Sequence, residues 1–215
     1  MVEWKLHISV QPYDDQCYLK LSINILSSFV LALPKRSIDV IFATGGYGFN
    51  AYTLYRQEQK IIQAIVDSQG TALARYGLIQ YGDTVVEVPR KLSQFINNTD
   101  FKNFVRSTWL KLPGRGLVPA MEKASDELRS SVSGRKVLVL FANSIRPNSY
   151  LALLSAARKL AREGVKVLVV FSGSDADSAR LRRIVARSEY IFPWYLSTSS
   201  GTLGGKIAMQ LFKGT

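Results

Sequence analysis

The chain has 215 residues, 47% hydrophobic and 20% charged, enough to bury one ordinary α/β core with an extension and too apolar for a disordered chain. With 28 basic and 16 acidic residues its formal charge is +12, which favours anionic partners without choosing among nucleic acid, acidic protein faces, sulfated glycans and lipid headgroups. One cysteine, Cys17, and one histidine, His7, exclude an intrachain disulfide, a Cys/His metal site, and any Ser-His or Cys-His nucleophilic pair that does not draw on His7.

Residues 1–36 read as an extension. Trp4, Leu6, Ile8 and Val10 alternate as a strand does. Leu19 to Leu33 is the most apolar stretch of the chain but is too short and too interrupted for a membrane span. Val30-Leu31-Ala32 suits a signal-peptide cleavage site, whereas Asp14 and Asp15 upstream suit a segment packed on the domain, and both readings stay open. Pro34 to Ser37 leads into a main domain over 37–213.

Ile38 to Phe42 is an apolar strand that stops in Gly45, Gly46 and Gly48, and a helix is predicted from Tyr52 to Asp67. Ala72 to Gln80 reads as a strand, Tyr81-Gly82-Asp83 as a turn, and Thr84 to Val88 as an antiparallel edge strand. Leu92 to Leu112 holds one or two short helices with Phe95, Ile96, Phe101, Phe104, Val105 and Trp109 as their apolar set. After the Pro113–Gly116 loop, an amphipathic helix is expected over Leu117 to Val132. Lys136 to Ala142 and Val165 to Phe171 are continuous apolar runs of the kind buried on both faces, with a helix over Asn148 to Arg162 between them. A helix then runs to about Arg187, followed by a strand at Glu189 to Phe192 and a helix from Thr202 to Phe212. Alternating β and α elements imply a doubly wound, mostly parallel sheet with helices on both faces, a Rossmann-like α/β fold.

This succession resembles the von Willebrand factor A domain family over about residues 37 to 213. The resemblance rests on Asp39 to Phe42, on RYGLIQYGD at Arg75 to Asp83, on KVLVLFANS at Lys136 to Ser144, and on the segment from Val165 to Phe192. Such domains usually hold a divalent cation at a metal-ion-dependent adhesion site, using D-x-S-x-S after the first strand, a Thr before the fourth helix and an Asp after the fourth strand. Magnesium needs those carboxylate and hydroxyl oxygens. Here the matching positions are Gly45, Tyr47 and Phe49, then Arg115 or Leu117, then Asn143. The resemblance therefore implies a degenerate site, with no divalent cation and no other cofactor. Asn143 and Ser144 keep oxygens, and Arg115 and Arg146 stand on neighbouring loops where a guanidinium can receive a carboxylate.

Four functions compete. The first is a non-enzymatic adhesion or extracellular-matrix module that binds a protein ligand through Tyr47, Phe49, Arg115, Asn143, Ser144 and Arg146, with an extracellular setting implied by the resemblance and an intracellular one still open. The second is a scaffold domain of a larger protein. The third is binding of a polyanion, heparin or nucleic acid, by Arg180 to Arg187 and by Arg158, Lys159, Arg162 and Lys166. The fourth is a dinucleotide enzyme, because Gly46, Gly48 and Ala51 fit G-x-G-x-x-A with Asp67 downstream. No catalytic set supports that enzyme and no small-molecule substrate is expected. Asn97-Asn98-Thr99 is a glycosylation sequon.

Overall fold

The computed structural model describes residues 37–212 apart from 47, 49, 70–73, 95–96, 132, 146–148, 174, 186 and 196. The predicted extension, with its signal-like segment 19–33, therefore lies outside the described residues. Six strands form one sheet in the order β3-β2-β1-β4-β5-β6: β1 Ile38–Thr44, β2 Ala74–Tyr81, β3 Val86–Arg90, β4 Arg135–Ala142, β5 Val165–Phe171 and β6 Ile191–Pro193. All neighbours pair in parallel except β2 and β3, so β3 is the antiparallel edge. The helices are α1 Ala51–Asp67, α2 Asn98–Ser107, α3 Leu117–Arg129, α4 Tyr150–Arg162, α5 Asp175–Leu181 and α6 Ser200–Phe212.

Side chains alternate across each strand, so the continuous apolar runs split into two cores. Ile41, Ile79, Leu138, Leu140 and Val169 face α3 and α4. Val40, Phe42, Leu78, Val139 and Leu168 face α1, α2 and α6. On the second face Phe42, Tyr76 and Phe101 stack, with Tyr76 and Phe101 centroids 5.0 Å apart. Helices on both faces leave binding to the loops at the strand ends.

Several sequence expectations shift. The edge strand starts at Val86, two residues late, because Gly82 donates to the Val85 carbonyl (2.8 Å) and closes the turn around Thr84. Between 92 and 112 there is one α-helix among the described residues, and Trp109, expected in its apolar set, is 70% exposed. The arginine-bearing helix ends at Leu181, not near Arg187. Arg183 and Ile184 switch to tighter i→i−3 bonds, onto Arg180 and Leu181, and the turn still buries Ile184 and Val185. The last strand begins at Ile191 after a single 3-10 turn, Ser188–Tyr190.

At the amino end of the sheet Asp39 is fully buried. Arg75 binds it bidentately, Nε to Oδ1 at 2.8 Å and a terminal nitrogen to Oδ2 at 2.6 Å, and Ser131 donates a further bond. This pair ties β1 to β2. Asp39 is buried but Arg75 is one-third exposed, so removing the arginine costs less than the about 3–5 kcal/mol of a fully buried pair. Arg75→Ala is expected to lower the urea midpoint by an amount worth about 2 kcal/mol with the denaturant slope unchanged. An unshifted midpoint would show that the pair contributes nothing.

Candidate functional site

The chain leaves β1 toward β2 on one side and later returns to β4 on the other. The carboxyl end of β1 is therefore the topological switch point, where open α/β sheets place ligands. The loops after β1, β2 and β4 and the loop before α3 converge there. Gly48 has φ +85°, a left-handed conformation that favours glycine. Gly114 N–H donates to the Gly46 carbonyl (3.0 Å) and Gly116 N–H to the Gly82 carbonyl (2.8 Å), fastening the 113–116 loop across the edge.

Tyr81, at the end of β2, fills the space behind the turn. A Cβ added at Gly45 would stand 2.6 Å from its ring and 2.7 Å from its carbonyl oxygen, so no side chain fits at Gly45. Tyr81 is 1% exposed, and its hydroxyl donates to the Phe141 carbonyl on β4. Burial pushes its hydroxyl pKa well above the usual value, so it stays a donor.

Asn143 is committed on both ends. Its amide donates to the Gly45 carbonyl at 3.3 Å, and its Oδ1 accepts from the Ser172 hydroxyl. Ser144 Oγ is buried without a hydrogen-bond partner. Arg115 is half-buried, and its backbone N–H donates to Asp83 Oδ1 at 2.9 Å. The structure thus brings the Arg115 loop and Asn143 to opposite sides of Gly45 and Gly46. Tyr47, Phe49 and Arg146 lie outside the described residues. Asn97 is exposed and caps α2, accepting from Asp100 N–H at 2.9 Å and donating to its carboxylate at 2.7 Å.

Glu58 is the residue that the sequence reading missed. It sits on the inward face of α1 with Tyr55, Ile62 and Ile65 and is fully buried. Neither carboxyl oxygen has a partner at hydrogen-bonding geometry. Burial pushes its pKa up to about 8; the Gly45 backbone and the Asn143 side chain, which approach it, offset part of that rise. Its placement was readable in principle, because position 58 falls on the same 3.6-residue stripe as Tyr55 and Ile62.

The divalent cation usual in the family that the sequence resembles does not fit these residues. The first ligand position is a glycine with no room for a carboxylate. The last is an amide already bonded at both ends. The Glu58 carboxyl lies buried beneath them, and Asp83 Oδ1 already accepts from Arg115 N–H. Among the described residues no group of three or more His, Cys, Asp or Glu is placed to hold a metal. The dinucleotide motif does not fit either. Asp67 lies at the far end of α1 in an ion pair with Lys102, not at the tip of β2 beside the turn.

A protonated Glu58 makes stability depend on pH. Its pKa is raised in the folded state from 4.5 to about 8, so the native chain binds the proton more tightly. Its contribution is fully present below about pH 4.5 and is lost as pH rises toward 8. Glu58→Gln keeps the neutral form at every pH. Urea unfolding of both proteins from pH 5 to 9 is expected to show the wild type losing stability relative to the variant by up to about 1.4 kcal/mol per pH unit, levelling off above pH 8. A difference independent of pH would mean that Glu58 is ionised throughout.

The family model described as von Willebrand factor type A domain matches residues 46–204. No curated protein sequence matches the chain. Among solved structures the chain is similar to proximal thread matrix protein 1 from the mussel byssus, at 17% identity and TM-score 0.65, covering 83% of this chain and 47% of that one. The chain thus spans about half the length of the byssus protein. It is similar to manganese-loaded TRAP protein of Plasmodium vivax at 15% identity and TM-score 0.62, covering 83% and 74%. It is also similar to the vWF domain of the type V pili tip protein Mfa5 from Porphyromonas gingivalis at 10% identity and TM-score 0.60, covering 83% and 97%. At such identities these likenesses carry the fold.

Proposed function

The chain belongs to the von Willebrand factor type A domain family, and from that premise we propose that it is a non-enzymatic adhesion or matrix module that binds a protein ligand without a divalent cation. The observation that carries this reading is the closure of the edge by Tyr81 against Gly45, with Asn143 bonded across it. A cation there would bridge the domain to an acidic group on the ligand. In this reading Arg115, on the loop pinned to Gly46 and Gly82, receives such a group directly. A guanidinium donates two parallel hydrogen bonds to a carboxylate and needs no metal. The excess of basic residues adds long-range attraction for an acidic partner.

The structural neighbours include a byssus matrix protein and a pilus tip protein, and we place this domain in an extracellular setting of the same kind. No helix among the described residues is long and apolar enough to cross a membrane.

The polyanion reading is weaker, because three residues of the basic cluster are engaged within the fold. Lys166 donates to the Gln210 carbonyl at 2.7 Å and lies 4.3 Å from the Tyr190 ring centroid, Arg180 pairs with Asp177, and Arg187 pairs with Glu189. A scaffold role uses the same fold with no ligand at this edge.

Solid-phase binding of the full chain to a panel of immobilised matrix proteins separates these readings. Capture of at least one, equal in magnesium and in EDTA and reduced at least tenfold by Arg115→Glu, is expected. Capture that needs magnesium, or that Arg115→Glu leaves unchanged, would overturn the proposal. Retention on heparin alone, lost at moderate salt, would favour the polyanion reading.

A further inference from the structure

The segment from Thr108 to Lys111 joins α2 to the loop before α3, and its backbone is held by buried glutamines. Gln59 donates to the Thr108 carbonyl at 2.7 Å. Gln80 donates to the Trp109 carbonyl at 2.8 Å and accepts from Lys111 N–H at 3.1 Å. Gln80 is itself fixed by a 2.8 Å bond to the Tyr55 hydroxyl, whose pKa burial pushes up to about 12. Leu110 anchors the strap from below, in a small core with Ala51 and Tyr55.

Trp109 stands on this fixed strap, yet 70% of it is exposed. Tyr52, on the first turn of α1, is 63% exposed. The Arg56 guanidinium carbon lies 5.2 Å from the Trp109 ring centroid, held by bonds to Gln59 Oε1 (3.1 Å) and the Arg106 carbonyl (3.2 Å). The Arg56 contact covers only part of the indole. Around it the exposed charges are mostly basic. Arg56 and Lys60 lie on α1, which exposes no acid before Asp67; Arg106 ends α2; and Lys111 pairs with Glu87 on β3. A tryptophan and a tyrosine on a rigid backbone have little further freedom to lose on contact, which is the setting in which such residues dominate binding.

We propose that Trp109, Tyr52 and Arg56 form a contact surface for an acidic segment of a partner protein. The two rings take its apolar side chains, while Arg56 and Arg106 take its carboxylates. The arrangement favours an acidic polypeptide over a simple polyanion, because phosphate or sulfate groups alone would leave the indole unused. The inference rests on the reading of the domain as a protein-binding module, but it uses a face beside the Gly45 edge, so the two can fail separately.

The test is selection of random peptides displayed on phage against the immobilised full chain in EDTA, followed by fluorescence anisotropy with the most enriched peptide. Enrichment of Asp and Glu together with apolar residues is expected, with affinity falling at least tenfold in Trp109→Ala and in Arg56→Glu and less in Trp109→Phe. Circular dichroism and thermal melting of each variant should match the wild type, since the indole is mostly outside the core. Arg115→Glu should leave this peptide bound. Unchanged affinity in Trp109→Ala, no enrichment of acidic peptides, or loss confined to Arg115→Glu would each overturn the proposal. So would a peptide displaced by heparin whose binding depends on Arg56 and not on Trp109.

Discussion

Tyr81 occupies the point where three parallel strands end, and the shape of the binding edge depends on it. Its ring lies where a side chain on Gly45 would go, and its hydroxyl reaches the Phe141 carbonyl of β4 from β2, passing behind β1. The ends of β2, β1 and β4 are thereby tied together by one side chain. Glycine is required at position 45 for want of space rather than for its backbone freedom. Once the ring is there, Asn143 can bond across to the Gly45 carbonyl, and Glu58 is shut away from water beneath them.

The electrostatic consequence runs opposite to that of a cation site. A divalent ion holds several carboxylates ionised and close together. Here the Glu58 carboxyl beneath the edge is fully buried, burial raises its pKa to about 8, and Asn143 and Ser172 bond to one another above it. Positive charge is supplied instead by side chains around the rim, on a chain whose net charge is +12. Such charge is fixed in position and cannot be removed by a chelator.

Element order was legible in the sequence because strands buried on both faces, such as Lys136 to Ala142 and Val165 to Phe171, are continuous apolar runs that no amphipathic helix imitates. Glycine and Asn at ligand positions made the altered edge legible too. Trp109 was misplaced in the core because size and hydrophobicity favour burial, while the glutamine side chains that hold its strap outward act from Gln59 and Gln80, far away in sequence. Glu58 went unread because a polar residue on an inward helical stripe is ordinarily discounted as a solvated neighbour. The arginine-bearing helix was drawn too long because Ile184 and Val185 keep helical spacing although they are buried from a turn.

Thermal melting of the full chain in magnesium, in manganese and in EDTA bears most directly on the replacement of the cation by the chain's own groups. A ligand that binds the native state at a hundred times its Kd adds about 2.7 kcal/mol, a rise of several degrees for a domain of this size. Coincident melting curves in all three conditions are the expected result. A rise of several degrees in millimolar manganese or magnesium that EDTA reverses would contradict it, since Tyr81 fills the space at Gly45 and Asn143 is bonded across it.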